Sequence, residues 1–310
     1  MASRTPPLLE PYLRLPPAGS LTLLTGVLGS STNWLVHRYL YSLLALESQT
    51  SHPYSSYSSP IQRPRQEEPS DADLLQHGQP EQKQKQHISV VLVSFLRDHV
   101  FWKDGCRRLG LDLDLAAKNG SAVFVDGLTN LFVPPPQPLS RGPRDTVGRR
   151  VLLEATTDHF QQTLEAAVAD LQAAHPGTQT VLVLDQPDVL LAAGGDGISA
   201  PGLRDAILGL REKVHACIVT VSGDEPLIVA QSTPLELEHA SLALSLAHDA
   251  HLVISLRMLD TGTAKDVSGI LRVTPGGDEE ITTTATPVED RELLYFIRGD
   301  GSVRVFERGQ

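Results

Sequence analysis

The stretch "LLTGVLGSSTNW", residues 23–34, opens as a phosphate-binding turn should, with an apolar run that ends in Gly26 and a second glycine at Gly29. A working turn of this kind reads G-x-x-x-x-G-K-[ST]. Its glycines let backbone N–H groups close around phosphate, its lysine neutralises the β- and γ-phosphates, and its hydroxyl holds magnesium. Counted from Gly26, the last three positions are Ser31, Thr32 and Asn33. Without the lysine, a polyphosphate would be held only by backbone N–H groups and a helix N-terminus, each a partial charge. The Asn33 amide is also a poorer magnesium ligand than the hydroxyl it replaces. Gly26 and Gly29 are therefore expected to make a strand-to-helix turn capped by Ser30 or Ser31, with no tightly bound magnesium–nucleotide and no cofactor.

The second element of a nucleotide site would be an apolar strand ending in a carboxylate. "VLVLDQPDVLLA" (181–192) has this form at Asp185, and "VFVDGLTNLF" (123–132) has it at Asp126, which shows how unspecific the pattern is. No metal site is expected. His239, His248 and His251 are close in sequence, but nine residues at about 100° each put His239 and His248 half a turn out of alignment on a helix. "VSGDE" (221–225) lacks the G-x-S-x-G form of a nucleophile elbow. "RGDG" (298–301) reads as a hairpin turn. Arg141, Arg144, Arg149 and Arg150 form the densest basic run, interrupted by Asp145, and are the candidate contacts to a nucleic-acid phosphate.

Strands are expected at 20–25, 88–95, 121–125, 179–185, 215–221 and 250–256, most of them continuous apolar runs suited to burial on both faces. Helices are expected at 32–46, 98–118, 157–174, 202–214 and 234–248. Within 157–174, Phe160, Leu164, Val168 and Leu171 recur at helical spacing, and Thr233-Pro234-Leu235-Glu236 has the residues of a capping box with proline at the first helical position. Alternating strands and helices imply an α/β doubly wound, mostly parallel sheet with helices on both faces. "DVSGILRVT" and "LLYFIRGDGSVRVFERG" look like antiparallel edge strands at its C-terminal side. One domain over 1–310 is expected, interrupted by a disordered insertion at 48–87, rich in Ser, Gln, Pro and charge, and by a mobile Pro/Arg loop at 133–150.

The chain has 310 residues, 41% of them hydrophobic, and a formal net charge of −11. That balance argues against a broad nucleic-acid or membrane surface, so any RNA contact would be local or shared with partners. Cys106, placed in a helix, and Cys217, placed in a buried strand, offer neither a disulfide framework nor metal-ligand spacing, which points to a reducing compartment. The proline-rich start has no apolar core of the secretory type, and His248, Asp249 and His251 interrupt the most apolar later stretch, so a protein with no membrane span is expected.

"SLTLLTGVLGSSTNWLVHRYL", then "SFLRDHVFWKDGCRRLGLDL", "FVDGLTNLF" and "TVLVLDQPDVLLA", taken in order, resemble the Elongator complex protein 6 family, of the fungal type, over about 8–47 and 88–260. The resemblance implies a RecA-like fold stripped of the standard nucleotide motifs. It also implies that Leu96 and Arg97 stand where related KaiC-type ATPases often carry glutamates, one of which activates water. By the same resemblance, the partners are Elongator proteins 4 and 5 in a hetero-hexameric ring, within a complex that modifies wobble uridines in tRNA. A non-catalytic ring subunit of the cytoplasm, present also in the nucleus, is the expectation. A divergent ATPase and an inactive recombinase-type paralogue acting on DNA are the alternatives.

Overall fold

The apolar runs become the inner strands of one ten-stranded sheet in the order β10-β9-β8-β7-β1-β6-β5-β2-β3-β4. The strands are β1 (Ser20–Gly26), β2 (Ile88–Ser94), β3 (Ala122–Asp126), β4 (Arg149–Val151), β5 (Gln179–Asp185), β6 (Ala216–Ser222), β7 (Leu252–Arg257), β8 (Gly269–Pro275), β9 (Arg291–Ile297) and β10 (Val303–Phe306). Every pairing from β7 through β1 to β4 is parallel, and β8, β9 and β10 add antiparallel at the β7 edge. The computed structural model describes residues 5–48, 87–133, 147–260, 264–278 and 288–309. Most of the two segments expected to be disordered or mobile, including Arg141 and Arg144, lies outside the described residues.

Why the inner strands lack alternation is visible in the packing. Val90 and Leu92 of β2, with Val181 and Val183 of β5, face one apolar layer; Val91, Val93, Leu182 and Leu184 face the other. Both faces are covered, so neither can be polar. The first layer is closed by α1 (Asn33–Ser48) and α2 (His99–Leu109) through Leu35, Tyr39, Trp102 and Cys106. The second is closed by α5 (Thr157–Ala174), α7 (Ala200–Arg211) and α8 (Pro234–Asp249) through Phe160, Leu164, Leu203, Ile207 and Leu246. Phe160, Leu164, Val168 and Leu171 are all buried, and Thr233 and Glu236 make the reciprocal capping box at the start of α8.

Two expectations are corrected. The single helix expected over 98–118 is two, α2 and α3 (Leu113–Lys118). Gly110 adopts φ +87°, its N–H bonding back to the last carbonyls of α2, and Asp112 caps a new helix by accepting from the N–H groups of Asp114 and Leu115. A residue in the left-handed region ends a helix, and a carboxylate at the next N-cap starts one. The Pro/Arg loop also stops earlier than expected, because Arg149 and Arg150 belong to β4 and pair with Phe124 and Val125 of β3. Short helices α4 (Thr129–Phe132) and α6 (Val189–Ala193) complete the set. The "RGDG" turn joins β9 to β10: the Arg298 N–H bonds Ser302 O at 2.9 Å, and Gly301 has φ +81°.

Candidate functional site

Parallel sheets bind ligands beyond the carboxyl ends of their strands, and here that edge gathers the turn after β1 with the ends of β2, β5 and β6. Register brings them level: Ser94 is opposite Asp185, Asp185 opposite Thr220, and Gly26 opposite Ser222. A cleft of about 350 Å³ lies over the turn, lined by residues 26–33 together with Leu96, Arg97, Gln186, Ser222 and Asp224.

Gly26 is required by close approach, since a Cβ on it would lie 2.5 Å from Ser30 O. Gly29 has φ +88°, which the turn needs and a side chain resists. Four of the turn's backbone donors are engaged by the chain itself. Val27 N–H donates to Leu256 O (3.3 Å), Leu28 N–H to Asp224 Oδ1 (2.7 Å), Ser30 N–H to Val27 O (2.8 Å) and Asn33 N–H to Ser31 Oγ (3.2 Å). Asp224 is held in turn by the Ser222 hydroxyl at 2.7 Å. Thr32, at the lysine position, is buried, and its Cγ2 would lie 3.2 Å from a Cβ on Gly26. A carboxylate therefore sits on the amide of a turn whose usual occupant is a phosphate anion.

Asp185 is wholly buried. Its carboxylate accepts from Ser94 Oγ at 2.7 Å and from Thr220 Oγ1 at 3.1 Å, across both neighbouring strands. Burial pushes its pKa up to about 6, against the opposing effect of the two hydroxyls. The carboxylate is thus enclosed between the ends of β2 and β6. Gln186, the next residue, has φ 57° and donates its N–H to Thr220 Oγ1 at 2.9 Å. Asp126 caps the turn after β3 by accepting from the N–H groups of Leu128 and Thr129 and from the Thr129 hydroxyl.

Asp188 and Asp224 have no motif of their own in the sequence. "VSGDE", set aside for lacking a nucleophile elbow, supplies the carboxylate that holds the turn, and only the pairing of β1 with β6 brings it there. Asp188 accepts the Ser222 N–H at 3.2 Å and lies 3.6 Å from His239 Nδ1, and burial raises its pKa. His239 Nε2 donates to Ser222 O at 2.9 Å. The two buried groups thus brace the β6 end from which Asp224 projects. His239 is spent on this bracing, and among the described residues no group of three His, Cys, Asp or Glu side chains could hold a metal ion.

Leu96 is exposed at the cleft. Arg97 is anchored by its N–H to Ser94 Oγ at 3.0 Å, and its guanidinium lies 5.3 Å from the Phe101 ring centroid. Of the basic run, Arg149 bonds Asp114 at 3.3 Å and Arg150 bonds Asp170 at 2.7 Å. Cys106 and Cys217 are both buried and unbridged, and burial pushes each thiol up to about 12.

A mostly parallel sheet covered on both faces, with a glycine turn at the end of β1 and a carboxylate closing β5, defines a RecA-like domain. The fold matches that of a KaiC-like protein from the archaeon Pyrococcus horikoshii OT3, with a TM-score of 0.52 and 13% identity over 99% of this chain and 98% of that one. Residues 66–297 match the family model described as Elongation complex protein 6, and the chain belongs to that family. Among its relatives, the Elongator complex protein 6 homolog of Schizosaccharomyces pombe is 24% identical over 97% of each chain. Human Elongator complex protein 6 is 24% identical over 69% of this chain and 82% of its own.

Proposed function

We propose that this chain is a non-catalytic RecA-like subunit of the Elongator complex, acting in the cytoplasm, with a share in the nucleus, by assembling with Elongator proteins 4 and 5 into a hetero-hexameric ring that supports tRNA wobble-uridine modification. The observation that carries the reading is the turn after β1. It has no lysine, its buried threonine takes the lysine's place, and four of its amides are bonded within the chain, one of them to a carboxylate. Such a turn repels a triphosphate where a catalytic one would bind it.

Exposed apolar side chains support the assembly role. Leu28 at the tip of the turn is 87% exposed, and Leu96 and Val100 are exposed on the segment after β2. A ring closes by head-to-tail contacts, which need two different complementary faces on each subunit. In this reading tRNA is met through Arg141 and Arg144 with Arg149 and Arg150, the latter two in competition with Asp114 and Asp170.

Co-expression with the two partner subunits, followed by native mass spectrometry, tests the reading. A complex of three subunit types in equal number, with no magnesium-dependent ATP hydrolysis by this chain alone, is expected. A self-sufficient monomer that ignores both partners, or turnover abolished by Asp185→Ala, would overturn it.

A further inference from the structure

A second cleft, of about 390 Å³, lies between α1, α2 and the turn joining β9 to β10, and shares Ser31 and Asn33 with the first. Trp34, His37 and Arg38 line it from α1 and Phe101 and Arg108 from α2, with Gly301 closing one end. Positions 34, 37 and 38 share one helical face, so three nitrogen-bearing side chains converge there.

Arg38 is 3% exposed, yet it forms no ion pair with a described carboxylate. Its two terminal nitrogens donate to the carbonyls of Trp34 (3.2 Å) and Gly301 (3.3 Å), while Nε is buried without a partner among the described residues. Burial lowers its pKa to about 10, which leaves it charged at neutral pH. A buried charge met by two neutral carbonyls and, at 5.8 Å from the centroid, by the face of the Trp34 ring lacks a counter-ion among the described residues. Trp34 Nε1 and His37 Nε2 are likewise buried and unpartnered. The Arg108 side chain reaches the same place: its Cδ would lie 3.8 Å from a Cβ on Gly301, and burial above all, with the charges of Arg38 and Arg108 adding to it, holds His37 neutral. Asp104 is the acid at the mouth of the cleft, and it forms no ion pair among the described residues.

We infer that this cleft binds the phosphate group of a small phosphate monoester, with Arg38, Arg108 and the Trp34 indole N–H as donors and the Phe101 and Trp34 rings as walls. Two guanidiniums match a phosphate dianion better than the single charge of a carboxylate, and arginine presents paired donors suited to phosphate oxygens. The volume falls in the range of small-molecule sites. Ser31 and Asn33 line both clefts, but the donors named here are side chains of α1 and α2 and not the amides of the turn after β1.

The full chain has two tryptophans, so the indole N–H resonance of Trp34 can be assigned with Trp34→Phe and followed by NMR. Titration with phenyl phosphate at constant ionic strength is expected to shift that resonance saturably, with inorganic phosphate weaker and benzoate weaker still. Arg108→Gln, at an exposed position, should weaken phenyl phosphate about tenfold, the loss of roughly one charge-assisted hydrogen bond. Asp104→Asn should tighten it. No saturable shift, an unchanged affinity in Arg108→Gln, or benzoate binding as well as phenyl phosphate would overturn the assignment.

Discussion

The carboxylate of Asp224 accepts the backbone N–H of Leu28 at 2.7 Å, joining the end of β6 to the turn after β1 across 196 residues of chain. The turn is thereby held in a closed shape by an anion the protein itself supplies. Asp224→Ala should raise the hydrogen-exchange rate of the turn amides while leaving β1 and β6 protected. It should lower stability by about 1.5–3 kcal/mol, the value of a hydrogen bond to a charged group. Exchange unchanged at Leu28 would show that the turn does not need this contact.

Restoring the missing lysine should not restore a catalytic site. Thr32 is 3% exposed and packs over Gly26, so Thr32→Lys must push an ammonium into a closed space or open the turn. A loss of about 1–3 kcal/mol, typical of overpacking and of an unpaired charge, is expected in thermal unfolding. ATP hydrolysis should stay at background. Measurable turnover in this variant would mean that the turn is more adaptable than its bonding suggests.

Asp185 makes a pH-dependent prediction. Burial raises its pKa to about 6 from an ordinary carboxylate value, so the folded state binds the proton more tightly than the unfolded state. Its contribution to stability is therefore greatest in acid and falls as pH rises from about 4 through 6. Asp185→Asn, which keeps partners for Ser94 and Thr220, should stabilise the protein at pH 7.5 by about 1–3 kcal/mol. The gain should shrink at pH 5. An equal effect at both pH values would exclude ionisation of Asp185 as its source.

Gly105 sets the distance between α1 and α2. A Cβ at this position would fall 2.0 Å from Nε2 of His37, whose ring lies tilted against that of Trp102 with centroids 4.9 Å apart. Gly105→Ala should destabilise the fold by about 1–3 kcal/mol despite its better helix propensity. Gly209, in α7, has no such neighbour. Gly209→Ala should be neutral or stabilising by up to about 1 kcal/mol in the same assay.

Periodicity and capping chemistry made most of the architecture readable. The buried inner strands have to be continuously apolar because both faces are covered, and Thr233 with Glu236 marks the start of α8 without outside help. The edge strands were equally legible from their alternation and the glycine-bearing turn. The break between α2 and α3 was less so, because "GCRRLGLDLDLAAK" holds helical periodicity across Gly110. Gly110 is left-handed there, and Leu111 and Leu113 beyond it are buried in the core.

The order of residues by itself determined the class of fold and the absence of a phosphate-neutralising lysine after β1, since local patterns and residue identity carry both. What occupies that turn, and which charges remain without a partner, was decided by tertiary structure. Asp224 meets Leu28 only because β6 lies beside β1. Arg38 is left without a carboxylate among the described residues because α2 and the β9–β10 turn close over it. Electrostatic pairing depends on distance in space, and a linear pattern records spacing only along the chain.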